Sequence, residues 1–160
     1  MDSLVSQNGD QVSTGMSVAL GKCMTAKLLL VDDDDTTRNA LSRCLRQEGY
    51  NVTAVSNGIE AARRLSIESF DLVLSDFAMP GMDGLDLTKH IIRVASQTPI
   101  IIMSGSAGIT RQDVLNAGGF DFIEKPMVLN SLIAKIELAF ATGAPRKETP
   151  FDLEGRHFIS

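Results

Sequence analysis

KLLLVDDDD, residues 27–35, passes without a break from a short apolar run into four carboxylates. A run of that length, continuous rather than alternating, reads as a strand buried on both faces, and parallel strands have that character. Three further runs repeat the pattern: Leu72 to Leu74, Ile100 to Met103 and Phe120 to Ile123. Longer stretches of helical period separate them. Leu41, Cys44 and Leu45 share one face ahead of Gly49, a plausible stop. Leu129, Leu132, Ile133, Ile136 and Phe140 form the clearest stripe, ended by Gly143 and Pro145. The segment Tyr50 to Val55 alternates polar and apolar residues, which suits a strand at a sheet edge. Five strands alternating with five helices predict an α/β, doubly wound, five-stranded parallel sheet. Right-handed crossovers then bring every strand's C-terminal end to one edge, where chemistry belongs.

Composition bounds the function. The chain has 160 residues, 44 % hydrophobic content and a net charge of −5, enough for one compact core and too little for two ordinary domains. The acidic balance, with no cluster of Lys and Arg, argues against direct nucleic-acid binding. Cys23 and Cys44 form no disulfide or metal framework by their spacing. No secretory signal or membrane-length apolar run is present, so the expected location is the cytoplasm, without membrane insertion. The boundaries expected are a disordered extension at 1–25, one domain at 26–143 and a polar tail at 144–160 that carries Phe151, Leu153, Phe158 and Ile159.

The C-terminal edge collects a distinctive set of groups. Asp32 and Asp33 follow the first strand and Asp76 the third, so their mutual repulsion calls for a cation. A few carboxylates with room for water suit Mg²⁺. Any one of them, taken alone, reads equally well as a helix cap or turn residue. Ser104 and Lys125 close the fourth and fifth runs, adding a hydroxyl and an ammonium that a phosphoryl group would match.

VDDDD at 31–35, LSDFAMPGMDG at 74–84, MSGSA at 103–107 and FIEKP at 122–126 resemble the receiver domains of two-component response regulators. The resemblance covers about residues 26–142 and implies the flavodoxin-like strand order 2-1-3-4-5. It implies that Asp76 is the phosphoacceptor, that Asp33 binds Mg²⁺ directly and Asp32 through water, and that Ala78 offers its backbone carbonyl to the metal. Lys125 and Ser104 would act on the phosphoryl oxygens. Ser104 and Phe122 would form the switch, and Ala78 and Ser106 would tune dephosphorylation. The Lys125–Pro126 peptide is expected to be cis, and Gly81 and Gly84 to need unusual backbone angles. His90 and His157 are expected to be surface residues. The implied donor is a sensor histidine kinase or histidine phosphotransfer protein. The implied reader is a downstream effector that meets the face of the fourth helix, fifth strand and fifth helix.

Two rivals accompany this reading. Asp32, Asp34 and Thr36 spell the DxDxT motif of dehalogenase-type phosphatases, with Asp32 as nucleophile, yet no acidic pair follows Lys125 and Asp76 is left without a role. A receiver-like scaffold that is never phosphorylated is the other. No output segment is evident, so the chain reads as a stand-alone receiver or as a piece of a longer regulator.

Overall fold

Each apolar run becomes a strand. In the computed structural model, which describes residues 25–142, β1 (Lys27–Val31), β3 (Leu72–Asp76), β4 (Ile100–Ser104) and β5 (Asp121–Glu124) join β2 (Asn51–Val55) in one sheet. All pairings are parallel and the order is β2-β1-β3-β4-β5, as the resemblance implies. The helices are α1 (Asp35–Gln47), α2 (Gly58–Ile67), α3 (Gly84–Val94), α4 (Arg111–Asn116) and α5 (Leu129–Ala141). The readings of the leader and of the tail, including Cys23 and His157, lie outside the described residues.

Side-chain alternation divides the core between the two faces of the sheet. Leu28 and Leu30 of β1 pack with Leu45 of α1 and with Leu132 and Ile136 of α5. Leu29 and Val31 point the other way, toward Ala61 of α2, Leu87 and Ile91 of α3, and Val114 of α4. Covered on both faces, β3 and β4 are buried along their whole length, whereas β2 at the edge keeps Asn51 exposed. Each fully buried Leu or Ile contributes about 1.5–3 kcal/mol, so these two layers supply most of the force that closes the fold.

Helix ends are marked by side chains that satisfy otherwise orphaned amides. Asp34, Asn57 and Asp83 accept from Thr37, Glu60 and Asp86 backbone N–H groups at 2.7, 2.8 and 2.9 Å. Thr110 and Asp113 cap α4 reciprocally. Gly49 stops α1 at φ +93° and Gly81 turns at φ +84°, as expected. Gly84 departs from expectation: its φ is not positive, because it is the first residue of α3. What it needs is space, since an added Cβ would lie 2.8 Å from the Asp76 carbonyl oxygen and 3.0 Å from Phe77 Cα. The glycine lets α3 start directly against the backbone that carries Asp76.

Candidate functional site

Parallel strands deliver the acidic residues to the C-terminal edge together. Asp32 follows β1, its amide donating to Val55 O at 3.2 Å, and Asp76 is the last residue of β3. One carboxylate oxygen from each of Asp32, Asp33 and Asp76 lies within 4.8 Å of the other two. Asp32 is wholly buried and Asp76 nearly so, while Asp33 is exposed. Lys125 stands just beyond β5, and its amide donates to Ser104 O at 2.8 Å, so the β4–β5 ladder sets its position. Its Nζ donates to Asp32 Oδ2 at 2.9 Å and to Asp76 Oδ1 at 3.3 Å. The peptide that follows, Lys125–Pro126, is cis as expected.

Three carboxylates against one ammonium leave two negative charges in excess. The donors are all hard oxygens and one of them opens to solvent, a set that fits a divalent cation of the Mg²⁺ type. Burial pushes the Asp76 carboxyl above the ordinary carboxylate range. Lys125 pulls it back, and the charges of Asp32 and Asp33 push it up again. Burial also works against the Lys125 ammonium, but hydrogen bonds and charge from Asp32 and Asp76 outweigh it and hold its pKa above the usual lysine value.

Ser104 is buried, and its hydroxyl accepts from the Ser106 amide at 3.1 Å. Ser106 and Ala78 are exposed, and Phe122 is half-buried between the core and solvent. His90 is half-buried on α3 rather than free on the surface. Asp34 caps α1, and the Thr37 amide and hydroxyl hold its carboxyl below the ordinary range. It is thereby committed to the helix start. Cys44 is a free, half-buried thiol.

Two charged groups escaped the sequence reading. Arg38 donates to the backbone oxygen of Asp32 at 2.8 Å. Asp121, buried at the start of β5, accepts from Arg111 Nε of α4 at 2.7 Å, from Lys135 Nζ of α5 at 2.6 Å and from the Phe122 amide at 2.8 Å. Nothing in their spacing distinguishes either from a solvated surface charge. Burial raises the Asp121 pKa, but the hydrogen bonds from Lys135, Arg111 and Phe122 prevail and hold it below its ordinary 3.8. Stability from Asp121 is therefore present above pH 3.8 and lost as pH falls through its lower native value. Asp121→Asn is expected to lower stability by about 1–3 kcal/mol at neutral pH, with the gap closing in acid below pH 3.8. Urea midpoints at neutral and at acid pH check this, and an equal gap at both would show that the carboxylate charge is not its source.

A doubly wound parallel sheet with an acidic pocket and one lysine at its C-terminal edge defines a class, and similarity to known proteins identifies it. Residues 28–137 match the family model for the response regulator receiver domain, and the chain belongs to that family. It is 35 % identical over 113 residues to the DNA-binding transcriptional regulator NtrC of Escherichia coli K12, covering 70 % of this chain and 24 % of NtrC. To the response regulator MprA of Mycobacterium ulcerans it is 30 % identical over 114 residues, covering 71 % and 49 %. The chain thus spans between a quarter and a half of these relatives' length. Among solved structures, a CheY-like receiver domain from Methanospirillum hungatei JF-1 superposes with a TM-score of 0.71 at 28 % identity, over 74 % of this chain and 96 % of that one. The receiver domain of Francisella response regulator 1452 gives 0.68 at 26 %, over 74 % and 98 %. No helix among the described residues is long and apolar enough to cross a membrane.

Proposed function

We propose that this chain is a phosphorylation-activated switch that accepts a phosphoryl group on Asp76 in a Mg²⁺-dependent reaction. The observation that carries the reading is the meeting of Asp32, Asp33 and Asp76 around the ammonium of Lys125. Asp33 and Asp76, with the Ala78 carbonyl, would hold the ion directly, and Asp32 would hold it through water. When bound, Mg²⁺ supplies charge neutralisation at the phosphoryl oxygens.

An Asp76 oxygen forms the new bond to phosphorus as the bond from phosphorus to a histidine nitrogen of the donor breaks. Asp76 is a weak nucleophile, so its task is to be ionised and in line, and its exposure, slight as it is, leaves it open to the donor. Lys125 shifts its hydrogen bond from Asp76 to a phosphoryl oxygen and keeps its bond to Asp32. Ser104 leaves the Ser106 amide and donates its hydroxyl proton to a second phosphoryl oxygen. Its inward movement opens room for Phe122, which changes the face made by α4, β5 and α5 for an effector protein. Ala78 and Ser106, both small, leave the path of the hydrolytic water open. The donor is a sensor histidine kinase or a histidine phosphotransfer protein, and the setting is the cytoplasm. The switch occupies residues 26–143, flanked by segments 1–25 and 144–160.

Mass spectrometry of the chain with acetyl phosphate tests the reading. One labile phosphoryl adduct is expected with Mg²⁺ and none after chelation. No adduct under either condition would leave a scaffold role instead.

A further inference from the structure

Asp33 is the most exposed of the three clustered acids, and no hydrogen bond among the described residues reaches its carboxylate. Its direction must therefore come from the backbone. The peptide joining Asp32 to Asp33 is planar, so orienting the Asp32 carbonyl orients the Asp33 N–H and the N–Cα bond that leads to the Asp33 side chain. That carbonyl accepts from Arg38 Nη1 at 2.8 Å. Every other polar atom of Asp32 is already engaged: the amide with Val55 O, Oδ1 with the Asp34 amide at 2.9 Å, and Oδ2 with Lys125. The Arg38 side chain is only 16 % exposed, whereas its second partner, Asp35, is 80 % exposed. The outer ion pair is thus a surface contact of small energy, and the inner bond is the one that meets the loop holding the acids.

We infer that Arg38 is a positioning residue that aims Asp33 into the acidic pocket. This rests on the proposed Mg²⁺-binding role of that pocket. Groups that orient a metal ligand without touching the metal typically govern affinity by about 10–100-fold. Charge alone predicts the opposite sign, because removing a cation beside three carboxylates strengthens their attraction for Mg²⁺.

The test is calorimetric titration of Mg²⁺ into the whole chain, for wild type, Arg38→Ala and Arg38→Lys, with melting temperatures taken in the absence of Mg²⁺. Arg38→Ala is expected to weaken Mg²⁺ binding about tenfold, and Arg38→Lys, which retains a donor, to recover part of the loss. With acetyl phosphate, the Mg²⁺ concentration for half-maximal phosphorylation should rise by the same factor while the rate at saturation changes little. Unchanged or tighter binding in Arg38→Ala, even with a lower melting temperature, would overturn the inference and leave Arg38 a structural staple. Should Arg38→Ala fail to fold, Asp35→Ala decides: it should leave the affinity near that of wild type, and a loss as large as that of Arg38→Lys would assign the effect to the outer pair instead. A wild-type chain that binds no Mg²⁺ would sink the reading of the pocket itself, and the role of Arg38 with it.

Discussion

Asp76→Asn is expected to form no labile phosphoryl adduct with acetyl phosphate and Mg²⁺, under conditions expected to load wild type. The amide keeps the shape of the side chain but offers no anionic oxygen to phosphorus, so the loss should exceed about a thousandfold, the scale of removing the nucleophile itself. An adduct that survives the substitution would move the acceptor elsewhere, first to Asp32. The same change has an opposite effect on stability. Burial and two neighbouring carboxylates raise the Asp76 pKa against the pull of Lys125. A carboxyl whose native pKa is raised costs stability above that pKa and costs nothing below its ordinary 3.8. Without metal, Asp76→Asn is therefore expected to be the more stable protein at neutral pH, by on the order of 1 kcal/mol, with the difference vanishing in acid. Saturating Mg²⁺ should reverse the order, since a ligand at about a hundred times its Kd adds about 2.7 kcal/mol to the form that binds it. Thermal melts with and without Mg²⁺ check both signs.

The second large effect is expected at Lys125. Lys125→Met removes the ammonium shared by Asp32 and Asp76 and leaves Asp32, wholly buried, without its countercharge. Breaking a buried pair from one side costs about 3–5 kcal/mol. The melting temperature should therefore fall by roughly 10 °C or more in a domain of this size. Because the Lys125 pKa is raised, its contribution is fully present below the ordinary lysine value of 10.5 and is lost only as pH rises through the higher native value. The gap between wild type and variant should accordingly hold across neutral pH and close only in strong alkali. Phosphorylation should slow by about 10²–10³, the usual scale for deleting one electrostatic contact to the reacting group. Saturating Mg²⁺ should restore part of the stability but not the rate, because Lys125 addresses a phosphoryl oxygen from its own direction. Full recovery of the rate would show that Lys125 only offsets charge.

How far each part could be read ahead follows from the range of the forces involved. The strands and helices were legible because burial on both faces demands continuous apolar runs, and KLLLV, LVLSD and IIIMS supply them in order. The acids and Lys125 were legible because a parallel sheet sends all strand ends to one edge. Gly84 was misread: a close approach between elements leaves no mark distinguishable from a turn when only the glycine is seen. Arg38 and Asp121 were missed for a related reason. Their partners are a backbone carbonyl and side chains on other elements, and neither adjacency nor period encodes those.

By itself, the sequence determined the order of elements, the two-sided core and the set of chemical groups at the C-terminal edge, since alternation, capping and hydrophobic period act within a few residues. Only the tertiary structure decided which groups from separate elements share a contact: Lys125 between Asp32 and Asp76, Asp121 between Arg111 and Lys135, Arg38 behind the acidic loop. Distances of that kind arise where separate strands and helices pack, and hydrogen bonds and charges are sensitive to differences of an ångström that hydrophobic patterning does not specify.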